Sequence, residues 1–130
     1  MGRILLVCLG GFLGTGARYG LNGLISHRFG ETFPYGTLTI NVFGSFAIGV
    51  IYVVTGPDSR LLVSADVRQF LMIGILGGFT TFSSFSLQTL TLLHEGELVA
   101  AFANVGLSVA AGLLAVWAGE AMAKAIWLPH

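Results

Sequence analysis

Four long stretches of the chain are almost entirely apolar, and short polar segments separate them. A transmembrane helix needs about 20 consecutive, mostly apolar residues, and each stretch is close to that length or exceeds it. The segments between them carry nearly all of the charged side chains. The pattern predicts an all-α membrane protein, a single four-span domain over residues 1–130 with spans at about 4–25, 36–54, 67–93 and 98–119.

The composition supports a membrane protein over a soluble one. The 130 residues are 55% hydrophobic and only 9% charged. One small soluble core could not bury so much apolar surface, because a domain of this size leaves much of its surface in water. We therefore expect the chain to lie in a lipid membrane, and we expect no nucleic-acid partner.

Residues 77–86 interrupt the third apolar run. They read Gly-Gly-Phe-Thr-Thr-Phe-Ser-Ser-Phe-Ser, and both the glycine pair and the threonine pair disfavour a continuous helix. We therefore predict that the third helix is broken near its middle. Non-helical backbone inside a membrane is tolerated where protein buries it or where it lines a wet cavity. The stretch is thus a candidate site, and a simple kink packed by neighbouring helices is the alternative.

The polar side chains inside the predicted spans are hydrogen-bond donors, and none is a carboxylate. All six acidic residues fall in loops or near the end of the last run. Cation and proton pathways normally place Asp or Glu in the membrane. Amides, hydroxyls, an arginine and the positive edges of phenylalanine rings suit an anion instead. The pattern predicts an anion pathway, and ordinary packing between helices is the alternative for the polar groups Arg18, Asn22, Asn41, Gln88, Asn104 and Ser108.

Small residues four positions apart recur in the spans, as in Gly10 with Gly14, Gly16 with Gly20 and Gly74 with Gly78. This spacing lets membrane helices approach closely. Four thin helices enclose little volume, so we expect a homo-oligomer. If the spans alternate in direction, four basic side chains lie on one side of the membrane and two on the other. This is a weak orientation bias, and it is compatible with insertion in both orientations.

Motifs in all four spans resemble those of the bacterial fluoride channel family, called Fluc or CrcB. The most specific is the stretch at 77–86, and three shorter motifs accompany it in order: Gly-Ala-Arg-Tyr at 16–19, Gly-Thr-Leu-Thr-Ile-Asn-Val-Phe-Gly at 36–44 and Asn-Val-Gly-Leu-Ser at 104–108. The resemblance implies a passive, fluoride-selective channel of the bacterial inner membrane. It would export fluoride from the cytoplasm, protect against fluoride toxicity, and form a dual-topology antiparallel homodimer.

The resemblance also implies roles for individual residues. The ring edges of Phe82 and Phe85 would contact fluoride in the pore, and the third helix would break where the motif begins. Backbone carbonyls of Gly77 and Thr80 from both subunits would hold a structural sodium ion at the dimer centre. The other implied pore residues are Arg18, Asn41, Ser83, Asn104 and Ser108.

The chain departs from some relatives at two polar positions. Some relatives carry a glutamate where this chain has Gln88, and others carry a tyrosine in place of Asn104. An amide can still donate a hydrogen bond to an anion. The resemblance therefore leaves the role of a charge at residue 88 and the detailed geometry at residue 104 open.

Three other functions fit the sequence less well. A small proton-coupled multidrug exporter would need a carboxylate in its first helix, and residues 1–30 contain no Asp or Glu. An assembly subunit would account for the glycines but not for the clustered donors. An enzyme is the least expected, because His27, His94 and His130 are scattered through predicted loops and the terminus with no spaced metal set.

Overall fold

A computed structural model describes residues 1–128, which form four long helical spans. The first two are α1, Gly2–Phe29, and α2, Tyr35–Val54; the third runs over Ala65–His94, and the fourth is α6, Leu98–Trp127. Each is long and apolar enough to cross a membrane, and the described residues contain no strand. The predicted all-α fold with four spans is confirmed, and the homodimer stays a prediction.

The third span is irregular along its whole length. It begins as α3, Ala65–Gln69, continues as a π-helical segment, Phe70–Leu76, returns to α4, Gly77–Phe79, and resumes as α5, Phe82–His94. Between α4 and α5, Thr80 and Thr81 are extended, with φ/ψ of −84/159° and −152/114°. The predicted break is confirmed, but it lies at the threonine pair and not at Gly77, where the motif begins.

Neither glycine of this motif breaks the helix, and Gly78, like Gly74 one turn before it, serves helix packing. A Cβ built on Gly78 would lie 2.6 Å from the carbonyl oxygen of Gly11, and one on Gly74 would lie 3.0 Å from the Cα of Gly10. The backbones of α1 and the third span therefore touch directly, which is the close approach that small residues permit. Gly77 remains helical, with φ/ψ of −64/−36°.

The fourth span packs against the second by the same means. A Cβ on Gly119 of α6 would overlap the carbonyl oxygen of Phe46, and one on Gly49 of α2 would overlap that of Val116. The α6 helix also contacts α5, so α2 and α6 together flank the break. Helix α6 ends eight residues beyond the predicted residue 119. The ion pair of Glu120 and Lys124, an i,i+4 pair, lies in this added part of the helix and stabilises it modestly.

The histidines also lie differently from the prediction. His27 is in the last turn of α1 and His94 ends α5, so both are helical and not in loops. A basic side chain in the last turn of a helix interacts favourably with the helix dipole. His130 lies outside the described residues.

Candidate functional site

The break in the third span is bound to α2 through one side chain, Asn41. Its Nδ2 donates to the carbonyl oxygen of Thr81 at 2.9 Å, and its Oδ1 accepts from the backbone N–H of Thr81 at 2.8 Å. A helix break leaves backbone groups that must find other partners. The amide of Asn41 supplies a partner for both polar groups of Thr81.

Side-chain hydroxyls satisfy the other groups at the break. Thr81 is the N-cap of α5: its Oγ1 accepts from the backbone N–H of Ser84 at 3.2 Å and donates to Ser84 Oγ at 3.0 Å. This is the usual arrangement for a threonine N-cap. Thr80 Oγ1 donates to the carbonyl oxygen of Leu76 at 2.9 Å, which closes the end of α4. The threonine pair thus ends one helix and starts the next.

The break leaves carbonyl groups without their usual helical donors, among them those of Gly77 and Thr80. In a continuous helix the N–H of Thr81 would donate to Gly77, and the N–H of Ser84 would donate to Thr80. Here these two N–H groups donate to Asn41 and to the Thr81 hydroxyl. The carbonyl oxygens of Gly77 and Thr80 are therefore suited to a hard cation that prefers oxygen ligands, as filter carbonyls are in channels. The sodium ion itself stays a prediction.

A first cavity, of about 350 Å³, lies beside the break. It is lined from α2 by Asn41, from α4 by Gly77, from the break by Thr80, from α5 by Phe82 and Phe85, and from α6 by Ser108. The structure therefore brings together most of the residues that the sequence singled out. Aromatic edges, an amide and a hydroxyl meet in one space.

The two phenylalanines of this cavity form a tilted pair. Their ring centroids lie 5.4 Å apart with an interplanar angle of 46°. Phe85 is buried, whereas Phe82 is 79% exposed. One turn of α5 separates them, so both rings project from the same face of the helix. A single chain covers one ring and leaves the other open.

A second cavity, of about 250 Å³, lies between α1, α2 and α5. Arg18 lines this cavity and not the one that holds the phenylalanine pair. Thr81 lines both cavities, so the break separates them. The second cavity is strongly polar, and its other polar lining residues are Thr15, Asn22, Thr37, Ser84 and Gln88.

Two of the predicted pore residues lie outside both cavities. Ser83 is exposed, and its hydroxyl lies 3.4 Å from Thr81 Oγ1. Asn104 is 1% exposed; its Nδ2 donates to Thr89 Oγ1 at 2.9 Å, and its Oδ1 accepts from Ser108 at 3.4 Å. Within one chain, Asn104 therefore connects α6 to α5 and does not face open space.

Comparison with known proteins assigns the family. The family model described as CrcB-like protein, Camphor Resistance (CrcB), matches residues 5–120. The chain belongs to the CrcB family. A relative from Rhodospirillum rubrum is 54% identical over 116 residues, which cover 89% of this chain and 90% of the relative. One from Opitutus terrae is 52% identical over 120 residues, covering 92% and 91%. Both relatives are named fluoride-specific ion channel FluC.

The similarity within the CrcB family extends over nearly the whole chain. A relative from an Anaeromyxobacter species, also named fluoride-specific ion channel FluC, is 44% identical over 128 residues. The match covers 98% of this chain and 98% of that protein. The resemblance found in the sequence motifs is confirmed.

Sequence reasoning about this CrcB chain missed Gly44. A Cβ on this residue would overlap the Cγ2 methyl of Thr80 and lie 3.3 Å from the ring of Phe79. Gly44 is one turn after Asn41, so both face the break from the same side of α2. The signal was present in the motif at 36–44, which contains both residues.

Replacing Asn104 by leucine is expected to destabilise this CrcB protein. The substitution removes the hydrogen bond to Thr89 and the acceptor for Ser108, and interhelical hydrogen bonds in membranes contribute about 0.6 to 1.7 kcal/mol each. Thermal unfolding in detergent would measure the loss. Thr91→Val is the matched control, because the Thr91 hydroxyl bonds only within its own helix, to Leu87. Unchanged stability together with reduced ion flux would instead place Asn104 in a pore.

Proposed function

We propose that the chain is a fluoride-selective channel that passively exports fluoride from the cytoplasm and so protects the cell against fluoride toxicity. Membership of the CrcB family, with relatives named fluoride-specific ion channel FluC, supports this function. The observation that carries it is the cavity in which Asn41, Phe82, Phe85 and Ser108 meet. The chain is a transport protein and not an enzyme.

The lining of this cavity is suited to a small, strongly hydrated anion. A pore must replace part of the ion's water shell while binding weakly enough to release it. The second N–H of the Asn41 amide can donate a hydrogen bond, and the Ser108 hydroxyl can donate one when it rotates away from Asn104 Oδ1, 3.4 Å away. The edges of the Phe82 and Phe85 rings are electropositive. These groups are weak individually, which favours rapid passage.

The charges around both cavities argue against a cation pathway. Among residues 1–128, no Asp or Glu lines either the cavity of the phenylalanine pair or the polar cavity beyond the break. Cation-selective pores commonly use rings of such carboxylates. Arg18, on the polar cavity, adds a positive charge that would attract an anion.

The functional unit that we propose is an antiparallel homodimer with dual topology in the bacterial inner membrane. The high exposure of Phe82 supports a second copy, since a ring that contacts an ion must be shielded from lipid. The carbonyls of Gly77 and Thr80 give the same support, because two oxygens fill only part of the shell of a hard cation. Four carbonyls from two subunits would hold a structural sodium ion, whose charge would bind the subunits together.

Liposomes that contain only the purified protein are expected to release fluoride rapidly and to retain chloride. The vesicles would be loaded with potassium fluoride or potassium chloride, and valinomycin would relieve the membrane potential. Ion-selective electrodes would follow the efflux, with protein-free liposomes as the control. Absence of fluoride efflux from a demonstrably folded protein would refute the channel function, and chloride efflux at a similar rate would refute the selectivity.

A further inference from the structure

We infer that Asn41 is a positioning residue that holds the break open within a single subunit, and so prepares the carbonyls of Gly77 and Thr80. The inference concerns the backbone of the third span. It rests on the proposed function only where it refers to sodium.

The Asn41 amide matches the Thr81 peptide in both directions of hydrogen bonding. The two hydrogen bonds, of 2.9 and 2.8 Å, join residues 40 positions apart and run in opposite directions. A carboxylate could only accept and an ammonium group could only donate, whereas an amide does both. Asparagine has the length to form this pair from the middle of α2. The side chain thus replaces the two backbone partners that Thr81 would have in a helix.

Helix α2 also provides space for Thr80. The Cγ2 methyl of Thr80 lies so close to Gly44 that a Cβ on Gly44 would overlap it. Gly44 is buried, and it follows Asn41 by one helical turn. Helix α2 therefore binds both extended residues of the break, one by hydrogen bonds and one by shape. The break fits a site that is already present on its neighbour.

The diverted hydrogen bonds leave the carbonyl groups of Gly77 and Thr80 without their helical donors. Because Asn41 takes the N–H of Thr81, the carbonyl of Gly77 loses its helical donor. Because the Thr81 hydroxyl takes the N–H of Ser84, the carbonyl of Thr80 loses its donor as well. All of these contacts lie within one chain. The carbonyl pair is consequently formed before a second copy or a cation is bound.

This role differs from that of a simple fluoride ligand. A ligand would use only the one Nδ2 hydrogen of Asn41 that Thr81 leaves free. The positioning role uses both bonds to the Thr81 backbone. A substitution at residue 41 should therefore change the Thr81 peptide itself, even when no fluoride is present.

Residue-resolved hydrogen exchange of the parent protein and two variants in lipid nanodiscs tests this inference. Loss of both hydrogen bonds in Asn41→Leu is expected to speed exchange of the Thr81 amide by about tenfold or more. Asn41→Asp keeps the acceptor for that N–H but loses the donor to the Thr81 carbonyl, so part of the protection should return. Asn104→Leu is the matched control, because it removes a buried asparagine that does not contact the break, and it should leave Thr81 unchanged.

The same experiment separates α2 from sodium as the cause of the break. The parent protein would be measured in sodium chloride and in N-methylglucamine chloride, and Thr81 protection is expected to be similar in both. Loss of protection in the parent on sodium removal, to the extent seen in Asn41→Leu, would overturn the inference. So would unchanged Thr81 exchange in Asn41→Leu.

Two further outcomes are decisive. If Asn41→Leu loses protection throughout α1 as well, the variant has lost its fold and Asn41→Asp decides. Exchange of Thr81 in Asn41→Asp that is clearly slower than in an unprotected peptide supports the positioning role of Asn41, and exchange as fast as in an unprotected peptide overturns it. If the parent conducts no fluoride but shows the expected exchange pattern, the proposed function fails and the inference about Asn41 stands.

Discussion

Replacing Gly14 by alanine is expected to destabilise the protein by about 3 kcal/mol, near the upper end of the cost of overpacking a core. A Cβ on this residue would overlap the carbonyl oxygen of Ile75 and lie 2.9 Å from the backbone nitrogen of Phe79. Both neighbours are backbone atoms, so no side-chain rotation can relieve the overlap. Helix α1 must move away from the third span or the third span must distort.

The matched control for this substitution is Gly23→Ala in the same helix. A Cβ on Gly23 meets no atom within 4 Å among the described residues, so only the usual gain in helix propensity is expected there. Thermal unfolding and size-exclusion chromatography in detergent would compare the two variants. Equal stability of Gly14→Ala and Gly23→Ala would mean that α1 and the third span do not pack as closely as the structure shows.

The number and order of the membrane spans were predictable because they depend on composition averaged over whole helices. A span of about 20 apolar residues has few alternatives in a membrane. The break was predictable for a local reason, the β-branched pair Thr80 and Thr81. Its position within the motif was not, because Gly77 and Gly78 look equally capable of ending a helix. Only the contact of Gly78 with Gly11 shows that this glycine serves packing.

The π-helical segment Phe70–Leu76 had no signal in the sequence. A π-helix is intrinsically rare and forms where tertiary contacts favour the extra residue per turn. Here Gly10 and Gly74 bring α1 against this segment. The π-helical segment coincides with this close contact between two spans, which the sequence of one span alone does not show.

The chemical character of the site was predictable, but the orientation of each group was not. Donors without carboxylates were evident from the sequence. The structure divides them between two cavities, and Thr81 of the break lines both. Ser84 lines the polar cavity while Ser83 does not, and Asn104 is buried by a bond to Thr89 that spans two helices.

Replacing Phe82 or Phe85 by isoleucine, each tested separately, is expected to lower fluoride efflux by about tenfold or more, equivalent to about 1.4 kcal/mol in the barrier. Isoleucine keeps an apolar side chain of moderate size but lacks the positive ring edge. Phe85 is buried beside the cavity, so its loss also changes the packing of Phe82, whose ring centroid is 5.4 Å away. The measurement is fluoride efflux from liposomes at equal protein content.

Phe12→Ile is the matched control, because Phe12 of α1 is 77% exposed, close to the 79% of Phe82, and does not line the cavity. Its efflux should equal that of the parent. Phe82→Ile and Phe85→Ile must each retain the oligomeric state of the parent on size-exclusion chromatography. A loss of fluoride efflux then reports on the rings and not on assembly. Fluoride efflux at the parent level in both Phe82→Ile and Phe85→Ile would show that the ring edges do not contribute to passage. The amide of Asn41 and the hydroxyl of Ser108 would then have to replace the water shell of fluoride by themselves.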